Sequence, residues 1–434
     1  MIKTGSASLR HSMNTGSIMT QSERAISVSR TVPAGSPAVW VALYLATAIL
    51  SSLGLLGKVS LLQRIAPLPT SLLGVGLCAG VCLPLFWPLV LRIRYFLAPL
   101  ILVGFFFTSL VVFPKVEQLH AVGRGSDQPD CVIVAANEMM SARWPYRPDK
   151  IFTHNAMSCG PGWVAMQAPV VKTFGYRWDL IAVTVVSLAV CLWAQGLSMV
   201  CGLVALLGVC PGFWLAASNG TDFLPFGIAL AALFTAAGKV KRGSVLFVVV
   251  AGLLAQFRVP TLLLPVFFTK RVGKAAALSA TVLAIATEIV FLLWNPGSFV
   301  VDGPMHLLFK LTQRHLFSSN PIVTSLEIGL PLLLAAIVLT LWEERSTHPW
   351  GLFVYMYAIF FPPAVLDVFR KIALYHEPLK ALGFWEGGLW ILACLPVTAV
   401  VLILQLTARQ QRIISRLPVG VTGAELESRQ HLSA

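Results

Sequence analysis

Residues 244–274 read SVLFVVVAGLLAQFRVPTLLLPVFFTKRVGK, and the way this stretch enters and leaves a membrane decides how every other segment is oriented. As one span from Ser244 to Thr269 it would carry Lys270, Arg271 and Lys274 to the face opposite Lys239, Lys241 and Arg242, against the positive-inside bias. Splitting it removes the conflict. The chain then rises through Val245 to Gln256, turns at Phe257-Arg258-Val259-Pro260 and descends through Pro265, so that both basic clusters share a face and Arg258 sits at the tip. Arms of about 12 residues are too short to cross ~30 Å of hydrocarbon alone, and they fit a broken or re-entrant hairpin enclosed by protein.

The rest of the chain follows the same rule. With 57% hydrophobic and 12% charged residues over 434 positions and a mean hydropathy of +0.79, it lies outside the range of soluble domains and reads as an all-α polytopic membrane protein. The net charge of +14 is spread over small Lys/Arg clusters between apolar segments, which fits membrane orientation and not a nucleic-acid surface. Apolar segments at 38–57, 66–91, 96–114, 179–199, 200–217, 222–238, 275–294, 325–342, 350–369 and 387–407, with the hairpin, predict a bundle of about 11–12 transmembrane segments. Residues 1–37, rich in Ser, Thr and Gly, and 408–434 are read as cytoplasmic tails around one integral domain, 38–407, whose outer loop is 115–178. No repeat relates the two halves. Six of the eight cysteines (Cys78, Cys82, Cys191, Cys201, Cys210 and Cys394) lie in apolar spans without a CxxC pair, which argues against a cysteine metal site. Cys131 and Cys159, alone in the outer loop, are candidates for a bridge in an oxidising compartment.

Polar residues collect on the predicted outer side. The longest weakly apolar interval, Gly125 to Pro169, opens with Asp127 and Asp130 around Pro129. Cys131 to Met140 then runs without Gly or Pro, as a short helix would, which places Ser126 or Asp127 at its N-cap. Asn219-Gly220-Thr221-Asp222, Arg258 and a basic stretch with His306, Lys310, Arg314 and His315 fall on the same side.

This arrangement resembles the GT-C superfamily of membrane glycosyltransferases, in particular glycosyltransferase family 87, the polyprenyl-phosphate-mannose-dependent mannosyltransferases. Ser126-Asp127, Ala135-Ala136, Ala142 and Pro145-Tyr146 look like that family's catalytic loop, and Gly160-Pro161-Gly162 through Pro169 resembles its Pro-rich juxtamembrane helix. A second match runs through Gly220, Lys239–Arg242, Gly252, Arg258 with Pro260 and Pro265, and Lys270–Lys274. The match covers roughly residues 96–275 and is a pattern of residue types, not a diagnostic signature. It departs from the family at Ala142, where a Gly is usual, at Arg258, which is Arg rather than Lys, and in two extra leading spans.

The resemblance implies an inverting transfer of a hexose, mannose by resemblance, from a polyprenyl-phosphate donor to a lipid or glycan acceptor at the outer face of a bacterial inner membrane. Such a reaction needs one carboxylate to take the acceptor's proton, and the candidates are Asp127 first and Asp130 second, each with helix capping as its alternative. Arg258 is the candidate for the donor phosphate, against a structural salt bridge or snorkelling to the interface. Tyr146, Asp222, His306, Arg314 and His315 complete the candidate pocket; for Asp222 the alternative is a cap on its own span, and for the basic stretch it is anchoring to lipid headgroups. Glu288, an acid inside a span, is expected to be hydrogen-bonded to a neighbour. No residue is assigned to a metal, although a divalent cation is compatible with the chemistry. The rival classes are a transporter or lipid flippase, which would call for repeated halves and midplane charges, and a non-catalytic GT-C-like subunit.

Overall fold

A computed structural model of the chain describes residues 36–58, 70–122, 126–306, 334–335, 338, 341, 350–383 and 387–415. The chain divides into a main unit, Pro33–Leu406, and a second made of Met1–Val32 with Thr407–Ala434. In the second unit the described residues, 407–415, are the end of a helix. The expected span at 325–342 and the basic residues Lys310, Arg314 and His315 lie largely or wholly outside the described residues.

The main unit is an all-α polytopic membrane protein, without a strand among the described residues. Its principal helices are α1 (Pro37–Ser52), α2 (Thr70–Cys82), α3 (Arg94–Phe107), α4 (Gln128–Met139), α5 (Pro161–Phe174), α6 (Tyr176–Gln195), α7 (Leu197–Gly208), α8 (Pro211–Asn219), α9 (Phe223–Ala236), α10 (Val245–Ala255), α11 (Lys274–Trp294), α12 (Pro296–Val301), α13 (Trp350–Tyr375) and α14 (Leu395–Ser415). Seven described helical stretches are long and apolar enough to cross a membrane, or eight if the bent pair α7–α8 counts as one span.

Three segments depart from simple spans, each for a visible reason. The expected span at 200–217 is two helices meeting at 83°. Pro211 has no N–H to continue the ladder, and Cys210 before it takes the extended conformation (φ −89°, ψ 114°) that proline imposes on its predecessor. The polar groups released at the bend find partners: Trp214 Nε1 donates to the Gly208 carbonyl at 2.7 Å, and the Gly212 N–H donates to Ser52 Oγ at 3.0 Å. The segment at 222–238 is only the 14-residue α9, about 21 Å long at 1.5 Å per residue and shorter than the hydrocarbon core. It succeeds because protein surrounds it, with 13 of its 14 residues buried and Gly227 so close to the Ala393 carbonyl that a Cβ would stand 2.7 Å from that oxygen.

The third is the broken hairpin. α10 ends at Ala255, single turns of 3₁₀-helix follow at Val259–Thr261 and Leu264–Phe268, and the Gly243 N–H donates to the Val272 carbonyl at 3.1 Å. The segment therefore leaves and returns at one end of the bundle, as the charge pattern requires. Following the helices head to tail puts Arg94, Lys239–Arg242 and Lys270–Lys274 at that end. The Arg258 tip, the 126–160 loop and the N-termini of α6 and α9 occupy the other.

Candidate functional site

The Arg258 end is built around two glycines. α5 begins at Gly160-Pro161-Gly162, where a Cβ on Gly160 would stand 2.0 Å from the Gln256 carbonyl oxygen, and one on Gly162 would stand 2.2 Å from the Gln256 amide. That contact lets the Gly162 N–H donate to Gln256 Oε1 at 2.8 Å, locking the loop helix onto the last residue before the hairpin turn. One residue on, Trp163 is fully buried and its Nε1 donates to Asp222 Oδ2 at 3.2 Å.

Asp222 and Arg258 form a clasp. Arg258 Nη1 and Nη2 donate to Asp222 Oδ2 and Oδ1, both at 3.0 Å, and Nη1 also donates to the Phe257 carbonyl at 2.7 Å. The guanidinium lies 4.1 Å from the Phe257 ring centroid and 4.9 Å from that of Phe223, and Phe257 is stacked on Phe226 at 3.9 Å. The expected side-chain cap at Asp222 is corrected: the residue precedes α9 but its carboxylate makes no cap bond, because the arginine fork, a geometric match for a carboxylate, takes both oxygens. The salt-bridge alternative for Arg258 is thus realised in the structure, with the side chain 12% exposed.

The two loop aspartates are held differently. Asp127 is the N-cap residue of α4, yet its carboxylate does not cap the helix. Its Oδ2 accepts from Thr153 Oγ1 at 2.5 Å and Asn155 Nδ2 at 2.6 Å, while Ser126 Oγ faces the Gln128 N–H at 3.4 Å. Asp130, in the first turn of α4, is buried and its Oδ2 lies 3.6 Å from Nδ1 of His120. Burial pushes the Asp130 carboxyl up to about 6; His120 pulls it down, and the negative charges of Asp127 and Glu117 add to the rise. His120 is itself stacked on Phe152, with centroids 4.2 Å apart. The disulfide between Cys131 and Cys159, whose Cα atoms are 6.1 Å apart, ties the first turn of α4 to the segment entering α5. At the far end of α4, Glu138 pairs with Arg143 at 2.8 Å and with Lys150, and the Lys150 hydrogen bond, with Arg143 and Arg147, holds it below the usual carboxylate range. Ala142 then turns the chain at φ +53°, the left-handed conformation where the resembled family usually has Gly, at a cost of about 1–2 kcal/mol for an L-residue.

Tyr146 is fully buried among Trp144 and Phe299, with ring centroids 5.4 and 5.8 Å away. Burial raises its hydroxyl well above the tyrosine range; Glu288 adds to this and Arg258 opposes it. Glu288 is buried on α11, and the expected hydrogen bond is corrected: neither carboxylate oxygen has a partner among the described residues, and Gly160 lies so close that a Cβ there would stand 2.6 Å from Oε1. His306 follows α12 at this end, its N–H donating to the Gly303 carbonyl at 3.0 Å.

The structure thus joins Asp222 to Arg258, sets Tyr146 within the fields of Glu288 and Arg258, and sets Asp130 within those of His120 and Asp127. No hydrogen bond or ion pair connects Asp127 or Asp130 to Arg258. His120 was not singled out in the sequence, where it is one histidine at the end of an apolar run with no spacing to mark it. A separate apolar groove of about 360 Å³ lies at the α7–α8 bend, lined by Leu55, Leu83, Val112, Pro211, Trp214 and Leu215. No family model matches the sequence, and no curated protein and no solved structure matches the chain.

Proposed function

We propose that the protein is an integral membrane glycosyltransferase that moves a hexose from a polyprenyl-phosphate donor to a lipid or glycan acceptor. The observation that carries this reading is the aspartate-bearing loop helix α4, anchored by a disulfide and a glycine contact at the end of a membrane bundle, where a carboxyl has a proton affinity close to neutral. Inverting transfer needs one such group: it takes the proton of the attacking hydroxyl as the lipid phosphate leaves, and a base works best with a proton affinity near the working pH. The resemblance to family 87 names the donor class and mannose. The apolar groove at the α7–α8 bend has the size and character to hold part of a prenyl chain.

On this reading the Arg258 end faces the outer side of a bacterial inner membrane, since the opposite end carries the Lys and Arg clusters, and both termini are cytoplasmic. One observation favours a second reading. The Arg258 fork is already occupied by Asp222, as it would be in a GT-C-like scaffold that no longer binds a donor phosphate. Transfer of labelled sugar from polyprenyl-phosphate-hexose by membranes containing the protein decides between them. Wild type is expected to transfer, and the double variant Asp127→Asn/Asp130→Asn to lose transfer at matched expression. Equal transfer in both would remove the loop carboxylates from the chemistry, and none in either would leave the scaffold.

A further inference from the structure

Asp127 and Asp130 lie three residues apart, but the structure gives them different partners. Asp127 spends one carboxylate oxygen on two short hydrogen bonds, from Thr153 Oγ1 and Asn155 Nδ2, which tie it to the turn at 153–155. Among the described residues Asp130 accepts no side-chain hydrogen bond. Among those residues its ion-pair neighbour is His120, whose Nδ1 stands at 3.6 Å, outside hydrogen-bond range, which leaves the carboxylate lone pairs available. The imidazole is fixed from behind by Phe152, and the backbone next to Asp130 is fixed by the Cys131–Cys159 bridge, so neither partner is free to drift. We propose that Asp130, held by His120, is the carboxylate that takes the acceptor hydroxyl's proton, and that Asp127 instead anchors the turn at 153–155. This inference rests on the glycosyltransferase reading and assigns its base.

In the step, the acceptor O–H proton passes to Asp130 as the freed electron pair forms the bond from acceptor oxygen to anomeric carbon. The bond from that carbon to the phosphate oxygen breaks with its pair on the phosphate, which leaves with one more negative charge, and Asp130 later loses the proton to water. His120 is a positioning residue here: it does not touch the reacting atoms but offsets the negative fields of Asp127 and Glu117 and the burial that together oppose ionisation of Asp130.

The sign of each effect gives the test. His120→Gln keeps a polar group of similar reach but removes the imidazole that pulls the Asp130 value down, so Asp130 should hold its proton to higher pH. The acidic limb of the transfer profile, expected near the wild-type value of about 6, should move upward in His120→Gln, with activity recovered in alkaline buffer. Asp127→Asn removes a negative neighbour, so its acidic limb should move downward and transfer should survive. An unmoved limb in His120→Gln, or an equal loss at every pH, would overturn the assignment, as would abolition of transfer by Asp127→Asn with Asp130→Asn active. The pair can also be tested without activity, by the thermal midpoint of the purified protein against pH. A carboxyl whose folded value is raised stabilises the fold at acid pH, and that contribution fades between about 4 and about 6 as the proton leaves. His120→Gln should extend this fall to higher pH and Asp130→Asn should remove it. Identical midpoint curves for wild type and His120→Gln would sink the pair whatever the transfer assay shows, whereas a pair seen in these curves beside absent transfer would leave the pair intact and refute the enzyme reading.

Discussion

At the scale of single residues, the Asp222–Arg258 clasp is the contact on which the polar end of the bundle depends. Asp222 is completely buried and Arg258 nearly so, which makes the pair costly to break on one side only. Truncating one partner of a buried ion pair typically costs about 3–5 kcal/mol, because the other charge is left uncompensated. Asp222→Asn and Arg258→Gln are each expected to lower the unfolding free energy in detergent by a few kcal/mol, and the double variant by clearly less than their sum. Additive losses in a double-mutant cycle would show that the two do not act as a unit. Arg258→Lys should fall between, since the charge survives but the two-pronged fork and its packing on Phe257 do not. Three of the five guanidinium N–H groups are taken by Asp222 and the Phe257 carbonyl, so a donor phosphate held by Arg258 would share the guanidinium with Asp222, and transfer and stability would then respond differently to Asp222→Asn.

At the scale of elements, α4 and α5 form one cross-braced piece. The 28-residue separation of Cys131 and Cys159 corresponds, in the chain-entropy account, to about 3–4 kcal/mol of stabilisation from restricting the unfolded chain. Cys131→Ser with Cys159→Ser is therefore expected to lower the thermal midpoint of the non-reduced protein and to leave no difference between reduced and non-reduced samples. A reductant that leaves the wild-type midpoint unchanged would count against the bridge. The brace continues without covalent help at Gly162, where the helix N–H reaches Gln256 only because no side chain intervenes. Loop helix and hairpin tip are thereby held in one register, and an aspartate three residues into α4 can keep a fixed relation to the membrane bundle.

At the scale of the whole molecule, the broken hairpin determines which residues share an end. With the Gly243 N–H on the Val272 carbonyl, the two basic turns beside it are adjacent, and the exposed turn at His154 lies at the opposite end. In a protein with Cys78 and Cys82 replaced by serine, Lys241→Cys and Lys274→Cys should react with a membrane-impermeant maleimide from one side, and His154→Cys from the other. Labelling of positions 241 and 274 from opposite sides would restore the single-span reading and displace Arg258 from the site.

Much of this architecture was legible in the residues. Apolar length marks the spans, and the charge pattern around Lys239–Arg242 and Lys270–Lys274 demands the hairpin, because both are one-dimensional consequences of taking a chain in and out of hydrocarbon. Pro211 marks the bend, yet its 83° and the burial of the short α9 come only from how neighbouring helices close around them. The candidate site was half visible: Asp127, Asp130, Asp222 and Arg258 stand out as polar residues among apolar ones. That Asp222 meets Arg258 across 36 positions, and that a lone His120 faces Asp130 while Asp127 turns to Thr153 and Asn155, could not be read from composition or spacing. Partner choice among such groups is set by which helix ends converge, and that depends on packing of the whole bundle, where local sequence carries no trace of the neighbour.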